Sequence, residues 1–129
     1  MTQEEKEILI KDISGRLLYG LKCKVDNTIP PIPSADDYRN GSVREIIEVT
    51  GICTDPDYEC VLTDDTECVL IRVIPYLRKM STMTEEEEII FINKQGYDIY
   101  DWLDKNMFDY RGLIPKGLAI EAPEGMYDN

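Results

Sequence analysis

The chain has 129 residues, with 26 acidic side chains against 14 basic ones, a net charge of −12 and no histidine. Its length predicts a single domain, 1–129, large enough to bury a core without a metal or disulfide staple, and 43% hydrophobic content argues against a disordered acidic chain. The missing histidine excludes Ser-His-Asp and Cys-His catalysis, His-containing zinc sites and haem on a proximal histidine, and the acidic balance argues against direct nucleic-acid binding.

Thr2 and Glu5 form a capping box ahead of apolar residues in helical rhythm at Leu9, Ile10, Ile13 and Leu17. The pattern predicts an amphipathic helix over about residues 3–17. Leu21-Lys22-Cys23-Lys24-Val25 alternates strictly, the signature of a half-buried strand. Residues 26–42 contain Pro30, Pro31 and Pro33 and are predicted irregular. The β-branched run from Val43 to Cys53 predicts a second strand, with Gly51 as a candidate bulge. Asp55-Pro56-Asp57 should turn the chain, Tyr58 to Thr63 and Glu67 to Ile74 should pair as a hairpin, and Pro75 should close the sheet.

Two overlapping capping boxes follow, Thr82 with Glu85 and Thr84 with Glu87, and predict a helix to about Lys94 with Gly96 as its stop. Another helix is expected from Asp98 to Asn106, with Ile99, Trp102, Leu103 and Met107 on one face. Gly112, Pro115, Gly117, Pro123 and Gly125 predict a packed irregular tail. Strands segregated from helices give an α+β fold: an N-terminal helix, a four-stranded mainly antiparallel sheet or small barrel, and C-terminal helices.

The acidic start Met1-Thr2-Gln3-Glu4-Glu5-Lys6-Glu7 is unlike a secretory signal, and no apolar run approaches a membrane span, so the expected location is cytoplasmic and no membrane partner is expected. Cys23, Cys53, Cys60 and Cys68 are spaced too widely for zinc knuckles. Cys60 and Cys68 sit in apolar runs, so the cysteines are expected to act as small buried hydrophobes.

Asp55-Pro56-Asp57-Tyr58-Glu59 superficially suggests a calcium loop, but Cys60 and Thr66 stand where that loop needs glycine and glutamate. Asp55, Asp57, Asp64 and Asp65 could together form a carboxylate-metal enzyme site, although hairpin turns favour aspartate for local reasons. Neither a Walker loop nor a dinucleotide fingerprint occurs. No catalytic, cofactor-binding or metal-binding residue is therefore assigned, and no cofactor is expected. Aromatic residues concentrate at Tyr97, Tyr100, Trp102, Phe108 and Tyr110, interleaved with aspartates. Tyr97, Tyr100, Trp102 and Tyr110 are the candidate partner surface, and the alternative is that Trp102 and Phe108 complete the core while the tyrosines line its rim. The leading functional reading is a non-enzymatic binding or accessory module. The alternatives are an acidic nucleic-acid mimic acting as an inhibitor, and the carboxylate-metal enzyme.

The opening residues 1–7, the middle Pro75-Tyr76-Leu77-Arg78-Lys79-Met80-Ser81-Thr82-Met83-Thr84-Glu85-Glu86-Glu87 and the tail from Asp109 to Pro123 resemble a group of short uncharacterised proteins. That group is encoded by gut anaerobic bacteria, their prophages and mobile elements. The resemblance implies a small cytosolic accessory protein, and a host or phage protein as its partner. It brings no catalytic residue with it.

Overall fold

The structure, a computed structural model, describes residues 2–25, 46–55, 58–63, 67–70, 73–94 and 98–127. Its fold is α+β. Helix α1 (Gln3–Arg16) is followed by strands β1 (Lys22–Val25), β2 (Ile46–Glu48), β3 (Gly51–Asp55), β4 (Tyr58–Leu62), β5 (Glu67–Val69) and β6 (Val73–Leu77). Helices α2 (Glu85–Asn93) and α3 (Asp98–Lys105) come next, and β7 (Ile120–Glu121) closes the order. No helix among the described residues is long and apolar enough to cross a membrane.

The described strands form two sheets, not a barrel. The first has four strands in the order β2-β1-β6-β7, and the second has three in the order β3-β4-β5. Every pairing is antiparallel except β6 with β7. The predicted hairpin is present as β4 and β5, but the strand expected over Glu67–Ile74 is divided: β5 ends at Val69, and Ile74 belongs to β6 in the other sheet.

The single strand expected over Val43–Cys53 divides at Val49. The Val49 N–H donates to the Leu21 carbonyl at 2.9 Å, whereas the Thr50 N–H donates to the Leu62 carbonyl at 2.8 Å. Consecutive amides thus serve different sheets, and Gly51 begins the second one.

Pro75 does not close the sheet. It lies inside β6, opposite Cys23 of β1. Backbone groups along a strand point alternately to its two flanks. Leu77 accepts from the Ala122 N–H on the β7 flank, so Pro75 faces that flank too. β7 begins only beside Tyr76, and the missing N–H of Pro75 therefore breaks no ladder bond.

Beyond that point β1 and β6 are bridged by a side chain. The Tyr127 hydroxyl accepts from the Lys22 N–H at 3.0 Å and donates to the Tyr76 carbonyl at 2.8 Å, with the Lys22 carbonyl at 3.1 Å. Burial pushes its phenol pKa well above the usual tyrosine value, so it stays protonated and able to donate. The tail is thereby strapped across the sheet, and Lys22 Nζ adds a 3.2 Å bond to the Met126 carbonyl.

The core gathers Leu9 and Ile13 of α1, Leu21 and Cys23, Ile47 and Val49, Val61, Val73 and Leu77, with Met107, Leu113 and Leu118 from the C-terminal third. Cys23 and Cys60 are buried as small hydrophobes, and Cys53 is half-buried.

Helix α3 ends without glycine. The Phe108 N–H donates to the Leu103 carbonyl and the Met107 N–H to the Asp104 carbonyl, the paired bonds of a Schellman motif. Met107 takes the left-handed position at φ 61°. That conformation costs a non-glycine residue about 1–3 kcal/mol. Full burial of the Met107 side chain offsets it.

Candidate functional site

Helix phase separates the aromatic residues singled out in the sequence. Tyr100 and Trp102 are two positions apart on α3, roughly 200° around the axis, so they leave it on different sides. Trp102 is half-buried, 5.7 Å from the stacked Phe108 ring and 6.4 Å from Phe91 of α2. Tyr100 is exposed, and its ring centroid lies 5.5 Å from that of Tyr110. The structure thus brings Tyr100 to Tyr110 and places Trp102 in a separate aromatic row. Tyr97 lies outside the described residues, as do Asp57, Asp64 and Asp65, while Asp55 ends β3. Among the described residues, no three side chains of metal-ligating type converge.

The buried stripe of α1 mixes apolar and charged side chains: Leu9, Asp12, Ile13 and Arg16. The Arg16 guanidinium forks onto Asp12, with Nε and Nη2 each 3.0 Å from a carboxylate oxygen. Nη2 also donates to the Phe108 carbonyl at 2.7 Å, and Nη1 reaches the Leu103 carbonyl at 3.5 Å. Arg111 gives Asp12 a further bond at 2.7 Å. Asp104 lies 3.8 Å from Arg16 and accepts from the Tyr110 hydroxyl at 2.9 Å.

Burial raises the Asp104 pKa, and burial with the bond to Asp104 pushes Tyr110 up to about 12. The close approach depends on Gly15, where a Cβ would stand 2.9 Å from an Asp104 oxygen. Every charge in this cluster is turned on another member or on a backbone carbonyl. The cluster therefore fastens α1 to α3 and the tail.

Helix α2 is held differently. Of the two candidate capping boxes the structure uses Thr84 with Glu87, while the Thr82 hydroxyl donates to the Lys79 carbonyl at 2.6 Å. Glu87 serves twice. It accepts from the Thr84 N–H at 3.0 Å and takes both Arg78 nitrogens, at 2.7 and 2.8 Å. The Arg78 guanidinium lies over the Phe108 ring at 4.2 Å, so the anchor continues into the core. One turn after Glu87, Phe91 leans on Trp102.

Glu87 and Phe91 mark the inward side of α2. Ile89 projects from the opposite side, with Glu85 one turn before it and Ile92 one turn after. None of the residues of α2 is buried. Ile89 is 60% exposed, Ile90 42% and Ile92 77%. Ile89 and Ile92 therefore stand exposed on the face turned away from Glu87 and Phe91, while Ile90 lies nearer the inward side.

A surface cleft of about 700 Å³ lies between the start of α2 and the tail, lined by Arg78, Lys79, Glu87, Lys105, Glu121 and Tyr127 among others. Two of these three cations are already engaged, Arg78 by Glu87 and Lys79 by Glu121 at 3.1 Å. An anion entering the cleft would compete with both pairs, so the cleft is a poor anion site.

The Arg78 hydrogen bonds hold the Glu87 pKa below the ordinary glutamate value, outweighing its partial burial. Its folded value is lowered, so the stabilisation is present above the ordinary value and is lost as pH falls through the lowered one. Trp102, the one tryptophan of the chain, reports on the Phe91 contact. Its fluorescence should show an acid transition below the ordinary glutamate range, and Glu87→Gln should lack it. An identical transition in both proteins would mean that another carboxylate controls the docking of α2.

In the sequence alone Glu85–Glu88 reads as a solvated helix start, with an acidic docking strip as the alternative, and Ile89-Ile90-Phe91-Ile92 reads as a β-prone run. The available signal was Glu87 and Phe91 falling on one side of a capped helix with Ile89 and Ile92 on the other. No protein-family model matches the chain, and neither a curated protein nor a solved structure matches it.

Proposed function

We propose that this chain is a non-enzymatic protein-binding module whose partner, a host or phage protein, seats helix α2 in an apolar groove. The observation that carries the reading is the outward ridge of Ile89 and Ile92 on a helix whose Glu87 and Phe91 face its own fold. Residues three and four apart on one helical face are the anchors of helix-in-groove recognition. Glu85, Glu86 and Glu88 are exposed in the first turn of the same helix. The fitting partner therefore carries lysine or arginine at the end of the groove that receives this turn. Tyr100 and Tyr110 pair on another side of the molecule, but Tyr110 is half-buried with its hydroxyl committed to Asp104, which favours the α2 ridge.

The test is photocrosslinking in the producing cell, with a photoreactive residue at position 92 and, in a separate variant, at position 24 on β1. Position 92 should trap one protein that position 24 does not. That protein, purified, should bind the chain directly, and binding should weaken with added salt. Identical products from both positions, or no direct binding by the trapped protein, would contradict the reading.

A further inference from the structure

Cys53 of β3 and Cys60 of β4 are direct partners in the antiparallel register. Residues opposite each other in such a pair place their side chains on the same face of the sheet. Ile52 and Val61, the next pair along the ladder, serve the core, so the two cysteines occupy the other face. Cys68 is in register with Val61, not with Cys60, and Cys23 belongs to the other sheet.

The kind of pair also follows from the register. Asp55 and Tyr58 close the β3–β4 hairpin with two residues between them. The closing pair of a two-residue hairpin exchanges both backbone bonds, and alternation makes Cys53–Cys60 a pair of the same kind. The Cα atoms of such pairs lie about 5.5 Å apart, within the roughly 4.4–6.8 Å that disulfides span. Their Cβ atoms lie about 5.5 Å apart, against about 3.8 Å in a relaxed disulfide. A bond here forms with local strand movement and is strained, which makes it readily reducible.

Access is unequal. Cys53 is half-buried and Cys60 is 1% exposed. An oxidant from solvent meets Cys53 first, and Cys60 stands opposite it in the position of a resolving thiol.

We propose that Cys53 and Cys60 form a reversible redox pair, closed by hydroperoxides and reopened by small thiols. Peroxide transfers one oxygen to the Cys53 sulfur, giving a sulfenic acid and one water from hydrogen peroxide. The Cys60 sulfur then attacks the Cys53 sulfur; the S–S bond forms, the S–O bond breaks, and the hydroxyl leaves as a second water with the Cys60 proton. Two thiols have then lost two electrons and two protons to one peroxide. Two glutathione molecules reverse the closure: the first thiolate attacks the strained bond and forms a mixed disulfide with one cysteine, the second displaces that cysteine, and the two leave as glutathione disulfide with both cysteines again thiols.

The full chain, treated with near-stoichiometric hydrogen peroxide, blocked with N-ethylmaleimide and digested, is mapped by mass spectrometry. The expected product is one crosslinked peptide joining Cys53 to Cys60, lighter by two hydrogens, which disappears when glutathione is added before blocking. Cys53→Ser should abolish it, and the wild-type map decides the matter alone if that variant fails to fold. Oxidation of Cys53 to sulfinic acid without a crosslink, or a main crosslink to Cys23 or Cys68, would overturn the proposal.

Discussion

Replacing Arg16 by alanine is expected to destabilise the protein by about 3–5 kcal/mol, because removing one member of a buried ion cluster strands the others. Arg16 and Asp12 are both fully buried, and Asp104 is nearly so. Without the guanidinium, Asp12 keeps only Arg111, Asp104 keeps only the Tyr110 hydroxyl, and the Phe108 carbonyl loses its 2.7 Å donor. Arg16→Lys should recover only a small part of the loss, since an ammonium cannot fork onto Asp12 while reaching two carbonyls. Urea unfolding followed by Trp102 fluorescence measures this. A cost below about 1 kcal/mol would show that the cluster behaves like an exposed pair.

Phe108→Ala is expected to cost about as much, roughly 3–5 kcal/mol for a buried aromatic. The ring is fully buried, stacks on Trp102 and lies beneath Arg78. Its backbone is also a junction, with the carbonyl bonded to Arg16 and the residue bridged to Arg78. Two consequences should appear together: a lower urea midpoint, and a red-shifted Trp102 emission as the row from Phe91 to Phe108 loses its inner member. A large stability loss with unchanged emission would mean that Trp102 is held by Phe91 alone.

What could be read in advance was local. The Thr2–Glu5 capping box, the alternating strand at Lys22–Val25 and the helix from Asp98 are fixed by neighbours a few residues away, and each is present. The two boxes at Thr82 and Thr84 were equivalent in sequence. Arg78, reached only through the folded chain, engages Glu87 and so favours the second.

Pairing between distant strands was not legible. Whether Val49 and Thr50 serve one sheet or two depends on Leu21 and Leu62, and nothing in a β-branched run records that choice. Pro75 is tolerated in β6 because of where β7 begins, 45 residues later in the chain. Asp12 and Arg16 stood at i,i+4, a spacing equally suited to a solvated surface pair. Their burial follows from carbonyls at Leu103 and Phe108.

The candidate surface was legible only in part. Composition pointed to residues 97–110, but helix phase divides Tyr100 from Trp102, and Trp102 is turned onto Phe91. The isoleucines of α2 could as well have been core, since a capped helix does not reveal which of its faces meets the sheet.

The direct test of the central claim is the double substitution Ile89→Gln with Ile92→Gln, which removes the apolar ridge without adding charge to an acidic helix. If these side chains face outward for a partner, the variant unfolds at the urea concentration of the wild type, within about 0.5 kcal/mol, because exposed positions tolerate such changes. It should also fail to bind the protein trapped from position 92. Undiminished binding, or a stability loss well beyond that margin, would show that the ridge belongs to the fold itself and contradict the account.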